Sequence, residues 1–176
     1  MTISYPWYEI ISNSDNIAQG DVICDCPILI VKGELHPGLE RKTVETELKT
    51  IDAIVMSQSC DLEQGKVEHV ILCGLVNAAQ SGQKYSDIDS IKKGRQPAYH
   101  LLNSFDDGAG AKLDMQIVDF RNIYSLPIAQ LKKIAVAAVR RFRVLPPYRE
   151  HLAQAFARFF MRIGLPEDID LSRLKK

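Results

Sequence analysis

The spacing of the apolar residues changes near residue 125, and this change is the strongest constraint on the fold. Before it, apolar residues alternate or form short runs, as in residues 22–31, 51–56 and 67–76, which is typical of strands. After it, they recur every three or four residues, which is typical of amphipathic helices. We therefore expect an α+β protein in which residues 1–124 form mainly a small β-barrel and residues 125–176 close it with helices.

Two C-terminal helices are expected, and prolines delimit them. Ser125 can cap the first helix and Pro127 can start it, whereas Pro146-Pro147 separates it from the second. Gly164 is a natural stop for the second helix. The apolar stripe of the first helix consists of Leu131, Ile134, Ala135, Ala138, Val139 and Phe142. The stripe of the second consists of Leu152, Ala155, Phe156, Phe159 and Ile163, with His151, Arg158 and Arg162 on its flank.

Two further expectations concern the strand region. A period of two places Val22, Cys24 and Cys26 on one face of the first long strand, and Pro27 indicates an edge position or a bulge. Residues 81–96 are rich in Ser, Gly, Lys, Asp and Gln, which predicts a mobile loop between strands rather than a domain boundary.

Size and composition predict one domain. The chain has 176 residues, of which 46% are hydrophobic and 25% charged, which are ordinary values for a globular protein. We therefore treat residues 1–176 as a single domain. The N-terminus does not resemble a secretory signal, and the apolar runs are too short to cross a bilayer, so we expect a cytoplasmic protein that does not enter the membrane.

The four cysteines are expected to be thiols in a reducing compartment. Cys24 and Cys26, together with Cys60, Cys73 and His69, could supply a tetrahedral zinc site. A Cys-x-Cys pair within a strand is not a zinc-knuckle spacing, however, and no second pair mirrors it. The sequence therefore favours core-facing thiols and predicts neither a metal nor another cofactor.

The segment Ser57-Gln58-Ser59-Cys60-Asp61 is the most unusual polar motif, because it directly follows a buried strand. A turn there would present Ser57, Gln58 and Ser59 at the rim of the barrel, where we expect them to bind a partner. Cys60 becomes a candidate nucleophile, with Asp61 beside it, if His69 or His100 lies close enough to act as a base. The alternative is structural, with Cys60 packed as a small apolar residue and the neighbouring side chains closing the turn.

Charge is unevenly distributed, although the chain carries 22 basic and 22 acidic residues. Residues 127–165 contain eight Lys or Arg side chains and one acid, Glu150. Arg141, Arg158 and Arg162 are therefore candidates for binding an acidic partner, either nucleic acid or protein. A solvated face or an acid match within the chain explains the same pattern, and few aromatic residues interleave with these arginines to stack on bases.

Four segments resemble the SH3-like barrel of the MazF/PemK growth-inhibitor toxins of bacterial toxin–antitoxin systems. They are GDVI from Gly20, AIVMS from Ala53, VILC from Val70 and LDMQIVDFRNIYSL from Leu113. This resemblance implies an SH3-like barrel, a context of stress response, toxin–antitoxin function or phage defence, and a homodimer. The arginine and threonine that serve RNA cleavage in those toxins are replaced here by Thr50-Ile51-Asp52 and Gly74-Leu75-Val76.

A second resemblance is to a family of uncharacterised bacterial proteins. It rests on SQSCDLE from Ser57 and PPYREHLAQAFARFFMRIGLP from Pro146, and it implies no activity. Taken together, these features predict a binding module for an acidic partner. The alternatives are a diverged ribonuclease toxin and a hydrolase that depends on Cys60.

Overall fold

A mostly antiparallel sheet forms the centre of the computed structural model, which describes residues 5–33, 45–138 and 140–161. Seven strands make the main sheet in the order β1-β9-β2-β3-β4-β8-β5, and all neighbours are antiparallel. A separate two-stranded ribbon pairs β6 with β7. The strands are β1 (Tyr8–Ser12), β2 (Asp21–Val31), β3 (Thr46–Val55), β4 (His69–Asn77), β5 (Tyr99–Leu102), β6 (Phe105–Asp106), β7 (Lys112–Leu113), β8 (Gln116–Pro127) and β9 (Arg140–Val144).

The α+β class is confirmed, but the sheet is not a closed barrel. Within the described ranges, β1 and β5 are its two edges, and the hydrogen-bonded strands run in one line between them. The helices of the described part are α1 (Ser59–Glu63), α2 (Tyr85–Lys92), α3 (Ile128–Ala137) and α4 (Tyr148–Phe160). No helix in these ranges is long and apolar enough to cross a membrane.

The first predicted C-terminal helix ends earlier than expected, and a strand follows it. Helix α3 stops at Ala137, and Arg140–Val144 forms β9, which pairs with both β1 and β2. Phe142 lies opposite Ile10 on one side and Val22 on the other. Aromatic and β-branched residues in this stretch favour a strand once two neighbouring strands are available, so tertiary pairing overrides the helical spacing.

Helices α3 and α4 pack on opposite faces of the sheet. Along each strand, successive side chains alternate between faces, so Val22 and Ile23 belong to different clusters. Leu152 of α4 joins the cluster that contains Val22, whereas Leu131 of α3 joins the cluster that contains Ile23. The predicted pair of helices sealing one end of a barrel is therefore replaced by a helix on each side of the sheet.

Residues 81–96 do not form the predicted loop, because α2 occupies the middle of this segment. Ile88 and Ile91 are three residues apart, and they pack with Ile117 of β8 in a third apolar cluster. The N–H of Lys84 donates to Asp87 Oδ2 at 3.2 Å, which closes the first turn. Gly94 follows the helix with a φ of 67°, a left-handed conformation that favours glycine.

A bulge in β2 separates two cysteines that were predicted to share a face. The register with β3 shifts between Ile23 and Cys26, and Asp25 has a φ of 51°. As a result Cys24 is exposed and Cys26 is fully buried. The bulge expected near Pro27 is confirmed, but β2 lies inside the sheet rather than at its edge.

Candidate functional site

A cavity of about 510 Å³ with aromatic, polar and charged side chains in its lining lies beside the edge strand β5. We call this the first cavity. Its walls come from the end of α2, from β5, from α4 and from the residue before β1. The lining consists of Trp7, Ile91, Lys92, Gly94, Gln96, Pro97, Tyr99, His100, Leu101, Asn103, Met115, Tyr148, His151, Ala155 and Arg158.

Helix α4 contributes one continuous stripe to this cavity. Tyr148, His151, Ala155 and Arg158 are spaced by three or four residues, so they lie on one face of the helix. Leu152 lies beside this stripe and is completely buried in the core, which fixes the orientation of the helix. The cavity-facing stripe is therefore held in place by the same packing that attaches α4 to the sheet.

An aromatic stack forms one wall of the first cavity. The rings of Trp7 and Tyr148 are nearly parallel, with 8° between their planes and 3.6 Å between their centroids. The N–H of Leu145 donates to the Trp7 carbonyl at 2.9 Å, so the pairing of β1 with β9 brings the two aromatic residues together. The stack therefore contributes aromatic surface to the lining of the first cavity.

Two histidines from distant parts of the sequence meet in the first cavity. His100 of β5 is 8% exposed and His151 of α4 is exposed, and their ring centroids are 5.1 Å apart. Burial lowers the pKa of His100 to about 4, and the neighbouring His151 contributes in the same direction. His100 is consequently neutral at pH 7 and able to accept a hydrogen bond.

Tyr99 also lines the first cavity, and the ion pair of Arg121 with Asp119 holds its ring in place. The Arg121 guanidinium lies 4.6 Å from the Tyr99 ring centroid and hydrogen-bonds the Tyr99 hydroxyl. Asp119 accepts two hydrogen bonds from Arg121, each 2.9 Å long. Burial opposes ionisation of Asp119, but the hydrogen bonds from Arg121 outweigh it and lower the pKa of the carboxyl. The charged pair thus fixes Tyr99.

A second cavity of about 720 Å³ adjoins the first. Four residues line both cavities, namely Gln96, Pro97, Tyr99 and Arg158. The second cavity adds Arg95, Ala98, Phe159 and Met161. We call the two cavities together the cleft.

The lining of the cleft is positively charged. Lys92, Arg95 and Arg158 contribute three cationic side chains, and neither cavity has Asp or Glu in its described lining. The whole chain has equal numbers of acidic and basic residues, so this local composition is an excess of one sign. A cleft lined by one sign of charge attracts ligands of the opposite sign.

Of the predicted binding residues at the rim, Ser57 and Ser59 hold the backbone. Ser57 Oγ accepts a hydrogen bond from the N–H of Ile71 at 2.9 Å, and Ser59 Oγ accepts one from the N–H of Gln19 at 3.1 Å. Gln58 is exposed and precedes α1. The two serines therefore fasten the start of α1 to β4 and to the segment before β2, rather than closing the turn.

Cys60 and Asp61 lie in the short helix α1, whereas His69 begins β4. The Cys60 thiol donates weakly to Gln58 Oε1 at 3.7 Å and to Asp61 Oδ1 at 3.8 Å. Across the described part of the chain, Cys60 makes no hydrogen bond to either His69 or His100. Cys60 is not packed as a small apolar residue either, because its side chain is exposed.

Arg141 was predicted to bind an external partner, and this prediction is wrong. The side chain is 1% exposed and its Nε lies 3.5 Å from Oδ2 of Asp21, which is itself fully buried. Arg141 also donates to the carbonyls of Asp15, at 2.7 Å, and Ala135, at 3.3 Å. Because Arg143 binds Asp21 as well, with a 2.5 Å contact, the positive charge of β9 is partly matched inside the protein.

Arg158 is exposed on α4 and lines both cavities, whereas Arg162 lies outside the described residues. Cys26 and Cys73 are buried, which raises the pKa of their thiols to about 11 and about 12. Partial burial, together with Asp52 and Asp25, raises the pKa of the Cys24 thiol to about 11. Among the residues that the structure describes, no group of three or more His, Cys, Asp or Glu side chains is arranged to hold a metal ion.

Most residues of the cleft cannot be identified from the sequence alone. Trp7, Tyr99 and Tyr148 supply the aromatic surface that the arginine-rich segment itself lacks, but they come from three separate regions of the chain. The spacing of His151 and Arg158 on the flank of the predicted second helix was the one signal that identified part of this lining.

Comparisons with known proteins do not assign this cleft. No model of a known protein family matches the chain, and no curated protein matches it.

Proposed function

We propose that this protein binds single-stranded nucleic acid in the cleft. The observation that carries the proposal is the composition of the lining, which combines aromatic rings with three cations and no acidic side chain within the described residues. Proteins that bind single strands combine these two elements, because bases stack on aromatic side chains while cations track the phosphates.

The two elements supply different parts of the affinity. Stacking of a base on an aromatic side chain contributes about 1–3 kcal/mol and tolerates any base. The wall formed by Trp7 and Tyr148 is the main candidate for this contact. Contacts with phosphates from Lys92, Arg95 and Arg158 would add to the affinity. This contribution falls as the salt concentration rises, because releasing the counterions of the phosphates is then less favourable. Duplex bases are already stacked, so the proposal favours single strands.

Fluorescence anisotropy tests this proposal with a labelled single-stranded RNA and a labelled DNA of the same sequence. Arg158→Gln should weaken binding of the RNA by about tenfold, since it removes a phosphate contact at the boundary of both cavities. Arg140→Gln is the matched control, because Arg140 is exposed on β9 and donates to the Gly110 carbonyl outside the cleft. Equal loss in both variants, or tighter binding of a poly-glutamate peptide than of either strand, contradicts the proposal.

Cleavage of RNA is the second candidate, and the histidine pair favours it. One imidazole would accept the proton of a 2′-hydroxyl as that oxygen attacks phosphorus, and the other would donate a proton to the departing 5′-oxygen. The observation behind this candidate is that His100 and His151 both line the first cavity, with their ring centroids 5.1 Å apart. Wild-type protein should then yield 2′,3′-cyclic phosphate ends from RNA but leave DNA intact, and His151→Ala should abolish the products without abolishing binding.

The remaining expectations stay predictions. They are an SH3-like character of the sheet, a cytoplasmic homodimer, and a context of bacterial stress response, toxin–antitoxin function or phage defence. A hydrolase centred on Cys60 has less support, because its thiol contacts Gln58 and Asp61 rather than His69 or His100.

A further inference from the structure

We infer that the cleft is divided into two nucleotide subsites, so that its smallest specific ligand is a dinucleotide rather than a single nucleotide. This inference rests on the proposed function. It follows from the distribution of three cations between the two cavities. Lys92 lines the first cavity alone, Arg95 lines the second alone, and Arg158 lines both.

Each cavity has the contents of a nucleotide site. The first holds the Trp7 and Tyr148 stack with Lys92, and the second holds Phe159 with Arg95. Their volumes of about 510 and 720 Å³ each fall within the range of about 300–1,000 Å³ typical of small-ligand pockets. Each cavity therefore offers an aromatic surface for one base and a cation for one phosphate.

Arg158 and Tyr99 mark the boundary between the subsites. Both residues line both cavities, and Tyr99 is fixed from behind by Arg121. A strand that places one base in each cavity must carry its linking phosphate across this boundary, where the Arg158 guanidinium is the available cation. Among the residues that the structure describes, Arg158 donates one hydrogen bond, 3.5 Å long, to Gln154, and the remaining donors of its guanidinium suit a phosphate.

Lys92 and Arg95 make the inference testable, because each belongs to one cavity only. The probes are uridine 5′-monophosphate and the dinucleotide pUpUp, which has one phosphate for each of the three cations, measured by calorimetry with the whole chain. We expect the monophosphate to occupy the first cavity, which holds the Trp7 and Tyr148 stack. Wild-type protein should bind pUpUp at least tenfold more tightly than the monophosphate. Lys92→Gln should weaken both ligands by a similar factor, whereas Arg95→Gln should weaken pUpUp alone and bring its affinity towards that of the monophosphate.

The matched control is Lys132→Gln, since Lys132 is exposed on α3 on the other side of the sheet, and it should leave both affinities unchanged. Equal affinity of wild-type protein for the two probes overturns the two-subsite inference while leaving the proposed function intact. An Arg95→Gln variant that weakens both probes equally overturns it as well. If neither these probes nor a longer single strand binds, the proposed function itself fails.

Discussion

Arg141 and Asp21 show how a charge that looks available in the sequence is used inside the fold. Both side chains are almost completely buried, and Asp21 accepts contacts from Arg141 and Arg143 at once. Removing one partner of a buried ion pair leaves an uncompensated charge in the interior, which costs far more than the intact pair contributes. The charge of Arg141 is therefore matched in the core and is not part of a cationic surface.

We predict that Asp21→Ala lowers the free energy of unfolding by about 3–5 kcal/mol, because it strands the buried guanidinium of Arg141. Glu47→Ala is the control, since its ion pair with Lys32 is exposed on both sides and should contribute less than about 1 kcal/mol. Urea denaturation measures both variants. Similar small losses in the two would show that the buried pair is not structural.

His100 should make stability depend on pH. Its pKa in the folded protein is about 4, below the value of 6.5 for a free side chain, so the unfolded chain binds the proton more readily. The contribution of neutral His100 to the free energy of unfolding is complete above pH 6.5 and is lost as pH falls towards 4. The total loss is on the order of 3 kcal/mol. We predict that His100→Asn flattens the loss of stability between pH 6.5 and 4.5, as measured by denaturation at each pH. An unchanged slope would contradict the assignment.

Helix α4 contributes five residues to the lining of the cleft, and one of its alanines offers a test that leaves the charge unchanged. Ala155 lines the first cavity, whereas Ala157 is exposed on another face of the same helix. Ala155→Leu should fill part of the cavity and weaken nucleic-acid binding at least tenfold, while Ala157→Leu should have little effect. Circular dichroism confirms that both variants fold. Equal binding by the two variants would mean that the ligand sits elsewhere.

The elements also show what the sequence could predict. The apolar stripe of α4 and the flank position of His151 and Arg158 follow from helical spacing, because that spacing alone decides which side chains share a face. By contrast, β9 has helical spacing and becomes a strand because β1 and β2 offer unpaired backbone on both sides. Helix α2 was missed because only two isoleucines in a polar segment anchor it.

The candidate site depended on contacts between distant segments, which composition does not reveal. Trp7 meets Tyr148 only because β1 pairs with β9, and His100 meets His151 only because α4 crosses the sheet near β5. The residues of the Ser57-Gln58-Ser59 motif are adjacent in sequence, yet its two serines fasten the start of α1 to Ile71 and Gln19 instead of lining the cleft. Residues that the fold brings together therefore form the candidate site, and residues adjacent in the chain do not.

For the whole molecule, the distribution of charge predicts how binding responds to salt. Three cations line the cleft, so the logarithm of the binding constant should fall against the logarithm of the salt concentration with a slope of about −2. Removing Arg158 as Arg158→Gln should reduce this slope by about 0.7. Anisotropy titrations at several salt concentrations measure it. A slope that does not change in the variant would remove Arg158 from the phosphate contacts.

The most direct test uses the fluorescence of Trp7, which is the single tryptophan of the chain and lies in the wall of the first cavity. Titrating the protein with an unlabelled single-stranded oligouridylate should change this emission saturably, since a base stacked on the wall alters the surroundings of the indole. The same titration of Ala155→Leu should give little change. If the oligonucleotide binds by anisotropy while the emission of Trp7 stays constant, the cleft is not where nucleic acid binds.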